Sequence, residues 1–153
     1  MPTDLSVKSK PWDMKTIFLN KIKERGGFTC HHAHFDKAYL ISNDNLVLSQ
    51  HDMQDKWRLY RELKKSYTFK DLYERISRAV EKMIEQGVTH CRSFIDADEL
   101  VGSLPLQAAL AVREDYYHQI HLEFAVQPLE GVLEPRAQRA FVEACKLADI
   151  IGG

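Results

Sequence analysis

From Phe28 onward, short apolar runs alternate with amphipathic helical segments, and this strict order limits the fold more than any single residue does. Strand signals fall at Phe28 to about His34, Val88 to Asp96, Ile120 to Val126 and Asp149-Ile150-Ile151. The clearest helix lies between the first two. Leu72, Ile76, Val80, Met83 and Ile84 recur at helical spacing, Thr68 and Asp71 form a capping-box-like start, and Gly87 ends it. A second helix runs from about Leu104 to His118 with Pro105 in its first turn. A third opens at Glu134-Pro135 and puts Ala137, Ala140, Phe141, Ala144 and Leu147 on one side. Strands linked through helices in this way run parallel, so the predicted class is α/β, with about four parallel strands and crossover helices. Such a sheet is either an open doubly wound one or part of a barrel.

Four strands make half of a (β/α)8 barrel, which takes about 250 residues. This chain has 153 and stops inside an apolar strand, so the expectation is the N-terminal half of a TIM-like barrel. Residues 1–12 read as a flexible polar arm and residues 13–153 as one partial barrel domain. Asp13 is placed to cap a short helix with Met14, Ile17, Phe18 and Ile22 on one face, closed by Gly26-Gly27. Residues 38–55 read as a long loop with turn chemistry at Ser42-Asn43-Asp44-Asn45. Met53 to Lys65 reads as a polar helix exposing Trp57 and Tyr60.

Charge and composition exclude several classes of partner. The net charge is −1 with acidic and basic residues interspersed, which predicts no nucleic-acid binding. No apolar run reaches the roughly 20 residues that span a bilayer, and no signal peptide opens the chain, so no membrane partner is expected. Cys30, Cys91 and Cys145 are odd in number and widely spaced, which fits a reducing, cytoplasmic setting, with Cys145 as a buried small hydrophobe.

His32-Ala33-His34 lies at the carboxyl end of the first strand. Alternate strand residues share a face about 6.5–7 Å apart, so two imidazoles with this spacing can converge on one metal ion. The competing reading is a pair of hydrogen-bonded structural histidines. In parallel α/β folds, sites gather at that end of the sheet, and Asp36 follows at once, which favours the metal. Strict alternation points His31 the other way, as a structural residue.

Phe28-Thr29-Cys30-His31-His32-Ala33-His34-Phe35-Asp36-Lys37 resembles the first-strand motif of the amidohydrolase superfamily, in particular the branch of cytosine deaminase and N-isopropylammelide isopropylaminohydrolase. Gly87 to Asp96, with Arg92-x-x-x-Asp96, is similar to the second strand of that branch, and Pro128-Leu129-Glu130-Gly131 to the segment after its third. The resemblance covers residues 27–153. It implies a catalytic divalent metal, zinc or iron, held by His32 and His34, and hydrolysis of a C–N bond in a small nitrogenous ring. It also implies further ligands and an acid/base residue on later strands, so these residues alone should bind metal weakly and turn over little.

Two positions depart from the pattern. Leu129 stands where the branch has a ring-binding glutamine, leaving Gln127 as a substitute, and Phe94 replaces a histidine, offering a stacking surface. Gln127 and Phe94 are therefore the substrate-binding candidates, with Asp36 and Asp96 behind the metal ligands. Asp96 and Asp98 either line the site or cap a helix N-terminus, and Arg92 forms either a buried ion pair or a solvated one. For Trp57, Tyr60 and Tyr67, packing against a further part of the assembly is favoured over covering the site. A second metal cluster at Cys30, His90 and Cys91 is disfavoured, and His118 and His121 read as surface residues. The alternative to an enzyme is a non-catalytic half-barrel module, a homo-oligomer or one joined by a complementing C-terminal half.

Overall fold

A computed structural model describes residues 13–42 and 52–152. The arm expected over residues 1–12 and the turn chemistry expected beyond Ser42 lie outside the described residues.

In chain order the elements are α1 (Met14–Glu24), β1 (Phe28–Ala33), a 3-10 turn (Phe35–Lys37), α2 (Met53–Lys64) and α3 (Phe69–Glu85). Then come β2 (Val88–Asp96), α4 (Leu104–Tyr116), β3 (His121–Gln127), α5 (Pro135–Cys145) and β4 (Ile150–Ile151). The strands form one parallel sheet in the order β1-β2-β3-β4. This is the sequential order that strand-helix-strand crossovers produce when each new strand is added on the same side.

The core lies between the sheet and its helices. Leu72, Ile76 and Val80 from α3 and Leu106, Ala109 and Val112 from α4 are buried against Cys91 and Ile95 of β2 and Leu122, Phe124 and Val126 of β3. These strand positions alternate, so every second residue of β2 and β3 faces the helices. The caps are those the side chains dictate. Asp13 accepts from the Thr16 amide at 3.1 Å, and Thr68 accepts from the Asp71 amide at 3.1 Å. Gly27 has φ +77°, and a Cβ there would sit 2.3 Å from the Thr89 side chain, so the turn into β1 admits only glycine.

Some expectations change. The apolar residues of α1 stay outside: no residue of that helix is buried, and Phe18 is 55% exposed. α4 ends at Tyr116 instead of His118 because the Gln119 and Ile120 amides both close on the Tyr116 carbonyl, which starts β3 at His121. Leu147 lies beyond α5 and is exposed, and Cys145 is half-buried where a buried residue was expected.

Candidate metal centre

The pairing of β1 with β2 decides where the two histidines point. Cys30 pairs with Cys91 and Ala33 with Ser93, so three steps of β1 run against two of β2, the count of a β-bulge. Strict alternation would send Cys30 to the same side as His32 and His34. Instead Cys30 and Ala33 both pack on the helix-side core, and the extra residue is absorbed between them. His31 and His32 are both exposed.

His32 Nε2 and His34 Nε2 lie 3.1 Å apart, with their rings edge to face. Two imidazole nitrogens this close share either a single proton or a cation. Nitrogens bound at about 2.0–2.1 Å to one tetrahedral ion stand about 3.3 Å apart, so the pair fits two corners of such a site. Burial, reinforced by Lys37 and His32, holds His34 below its ordinary pKa and keeps it the neutral imidazole that metals require. Among the described residues no group of three or more His, Cys, Asp or Glu side chains is arranged to hold a metal ion.

The Phe94 ring lies 4.9 Å from His32 and 5.8 Å from His34, centroid to centroid. Gly152 makes room for it, since a Cβ there would come within 2.9 Å of Phe94 Cε1. Gln127 donates from Nε2 to Asp96 Oδ1 at 2.8 Å and sits 3.5 Å from His34 Nδ1. Because the carboxylate only accepts, it orients the amide and leaves the glutamine oxygen free of that bond.

Behind the histidines is a cluster of buried charge. Lys37 Nζ reaches Asp96 Oδ1 at 2.6 Å and Asp36 Oδ2 at 3.6 Å. Lys64 Nζ lies 2.7 Å from Asp96 Oδ2 and 2.6 Å from Asp98 Oδ2. Asp36 Oδ2 also accepts the Asp96 amide at 3.1 Å, while its Oδ1 is buried without a hydrogen-bond partner. Burial pushes Asp36 up to about 6 against the pull of Lys37, and Asp96 adds to the rise. For Asp96 burial also opposes ionisation, but Lys37 and Lys64 outweigh it and hold the carboxyl below its ordinary value. Lys64 has the mirror balance: burial weighs against the ammonium, and Asp96 and Asp98 overcome it.

Of the other residues singled out, Asp98 caps no helix, since α4 opens after Ser103, and it is buried in the turn that follows β2. Its Oδ1 accepts the Leu100 and Val101 amides at 2.9 and 3.2 Å while Oδ2 meets Lys64. Asp96 caps nothing and is the centre of the ion cluster. Arg92 pairs with Glu123 at 2.9 Å on the open sheet face, both side chains 39% exposed, which is the solvated alternative. Burial, with Cys30 beside it, pushes the Cys91 thiol up to about 12, so it stays protonated. His118 and His121 are exposed.

The aromatic residues divide. Tyr67 donates to the Asp36 carbonyl at 3.2 Å and so belongs to the support of the 3-10 turn. Trp57 and Tyr60 instead line a cleft of about 310 Å³ with His34, Lys37, Gln127 and Leu129. They wall the candidate site, the use that the sequence disfavoured. Sequence reasoning also missed Lys64 and Arg75. Arg75 Nη1 donates to the carbonyls of Asp36 and Ala38 at 2.8 and 2.9 Å and fixes the turn after His34. A lone basic residue on a polar helix gives no signal of a partner about 35 positions away.

No family model matches the chain. An uncharacterized protein of Haemophilus influenzae is 36% identical over 148 residues, which is 96% of this chain and 54% of that protein. The chain thus spans about half the length of this curated relative. Among solved structures, 5-methylcytosine deaminase from Klebsiella pneumoniae liganded with 5-fluorocytosine superposes with a TM-score of 0.74 at 26% identity, over 83% of this chain and 31% of that one. N-isopropylammelide isopropylaminohydrolase from Burkholderia multivorans gives a TM-score of 0.67 at 24% identity, over 83% and 32%. The α/β fold with four parallel strands matches the N-terminal portion of TIM-barrel amidohydrolases.

Proposed function

We propose that this chain contributes the first part of the site of a metal-dependent hydrolase acting on a C–N bond of a small nitrogenous ring, in the cytosine deaminase and N-isopropylammelide isopropylaminohydrolase branch of the amidohydrolases. The observation that carries this reading is the pair of Nε2 atoms 3.1 Å apart at the carboxyl end of a first parallel strand. The likeness to a deaminase and an isopropylaminohydrolase supports it. His32 and His34 hold the ion, zinc or iron. A bound divalent ion supplies Lewis acidity and lowers the pKa of a water from about 16 to nearer 7–9.

The chain's own residues do the rest of what this portion contributes. Phe94 sets a flat apolar surface beneath the histidines. Gln127, oriented by Asp96, presents its amide oxygen to a ring N–H. Lys37 and Asp36 fix the turn that carries His34. A catalytic zinc takes three protein ligands and an open position, so the remaining ligand and the acid/base group must come from residues other than these. The 153 residues alone are therefore expected to turn over little. The test is zinc and iron content by elemental analysis, together with release of ammonia or amine from cytosine-like and triazine-like rings. Zinc that is lost in the His32→Ala, His34→Ala variant supports the reading. A wild-type protein that takes up neither zinc nor iron overturns it.

A second reading has its own observation. Among the described residues β4 pairs only through Ile150 and Ile151, Ile151 is 66% exposed, and the sheet face bearing Arg92, Phe94 and Glu123 carries no helix layer. Such a face suits a half-barrel module that pairs with itself or with a complementing C-terminal half. Sedimentation separates the two, since a lone, well-folded monomer counts against the module. Three free cysteines, and no described helix long and apolar enough to cross a membrane, are compatible with a cytoplasmic setting for either.

A further inference from the structure

We infer that Lys64 is the positioning residue of the candidate site: it pins α2 across the carboxyl ends of β2 and β3, and so sets Trp57 and Tyr60 as one wall of the cleft beside His34. That the wall flanks a working site rests on the function proposed above, whereas the pinning rests on this structure alone.

Surface helices are ordinarily held by an apolar stripe. α2 is not. Lys64, 2% exposed, is the only buried residue in the helix, and Trp57 is half exposed. Its ammonium sits between two buried carboxylates, 2.7 Å from Asp96 and 2.6 Å from Asp98. Asp96 ends β2, and Asp98 is itself locked by the Leu100 and Val101 amides, so the anchor point is rigid. The second tether is weaker. Arg61 pairs with Glu99 and Glu130, but it is 43% exposed, and exposed ion pairs hold little in water. One turn back along the helix from Lys64, Tyr60 lies on the same face, and Trp57 lies one turn further back. Turning or lifting α2 at Lys64 therefore moves both rings relative to His34, Gln127 and Leu129, which share their cleft.

The same carboxylate serves Lys37 through its other oxygen and orients Gln127, so Asp96 ties the wall to the polar floor of the cleft. Losing Lys64 leaves Asp96 its Lys37 partner. The metal pair on β1 should then be undisturbed while the wall is released, which separates positioning from ligation.

The experiment compares wild type, Lys64→Met and the charge-balanced Lys64→Met, Asp98→Asn, each with Trp12→Phe so that Trp57 is the sole tryptophan. Asparagine keeps the oxygen that accepts the Leu100 and Val101 amides and removes the stranded charge, so the double variant decides if the single one does not fold. Amide hydrogen exchange across residues 53–64 should quicken at least tenfold in the variants while α3 and β2 keep wild-type protection. Trp57 fluorescence should gain a fast anisotropy component, and zinc uptake should be unchanged. Wild-type protection of residues 53–64 in the double variant overturns the inference. So does loss of protection throughout, which would make Lys64 a general requirement for folding. Absence of both zinc and iron from the wild type would overturn the proposed function and leave the pinning result standing.

Discussion

The two faces of the sheet are built from the same strands and follow opposite rules. On the helix side, Cys91, Ile95, Leu122, Phe124 and Val126 meet the buried stripes of α3 and α4. On the open side, the same strands carry Arg92 against Glu123, Phe94 beneath two histidines, and Gln127 against Asp96. Alternation along a strand thus separates residues that hold the fold from residues that bear chemistry, and each set can be altered with limited cost to the other. Only where the strands end does the division break down, because Asp96 is buried with the core yet orients Gln127 and both lysines.

The largest effect expected from this contrast is on the helix side. Phe124→Ala empties a fully buried aromatic site and should cost about 3–5 kcal/mol in urea unfolding, with no direct effect on the histidine pair. A cost below about 1 kcal/mol would show that the helix face is not the core. Asp96→Asn tests the boundary between the faces. It leaves Lys37 only the more distant Asp36 carboxylate, 3.6 Å away, while Lys64 keeps Asp98, so about 3 kcal/mol should be lost.

The same variant also changes the acid limb. Asp96 has a pKa below its ordinary value of 3.8 when folded, so its contribution is present above about pH 4 and is lost as pH falls through the lower folded value. Urea midpoints between pH 5 and 2.5 should therefore fall less steeply in Asp96→Asn than in wild type. An unchanged slope would remove Asp96 from the ion cluster.

Smaller effects belong to the open side. His32→Ala with His34→Ala should abolish zinc uptake while moving stability by less than about 1 kcal/mol, since His32 is exposed and His34 only half-buried, with neither in the core. A large loss of stability would make the pair structural instead. Smallest of all, a double-mutant cycle on Arg92 and Glu123 should give a coupling below about 1 kcal/mol, since both side chains are 39% exposed and water screens them.

Local signals carried most of the fold. Thr68 and Asp71 announced the start of α3, Gly87 its end, and the spacing of Leu72, Ile76 and Val80 its buried face, because all of these act within a turn or two of the chain. The parallel sheet followed from the alternation of strands and helices. The site was legible only in part. His32, His34, Phe94, Gln127, Asp36 and Asp96 do come together at one end of the sheet, but Lys64 was invisible because its meaning lies in partners supplied by β2. α1 failed differently: its spacing of Met14, Ile17 and Phe18 is a helical stripe, and spacing says nothing about whether a surface is there to receive it. The bulge between Cys30 and Ala33 was not legible, since it depends on a neighbouring strand's register, which one strand's sequence does not contain.

That bulge gives the histidine pair an unusual kind of tolerance. Because the residue that β1 has in excess of its partner lies between Cys30 and Ala33, the aim of His32 does not depend on which residue stands at position 31. Replacing His31 with another residue should leave the pair where it is. Removing it would bring Cys30, His32, Ala33 and His34 into even step with Cys91 to Phe94, and alternation would then keep both histidines on the side of Arg92 and Phe94 without altering a single ligand.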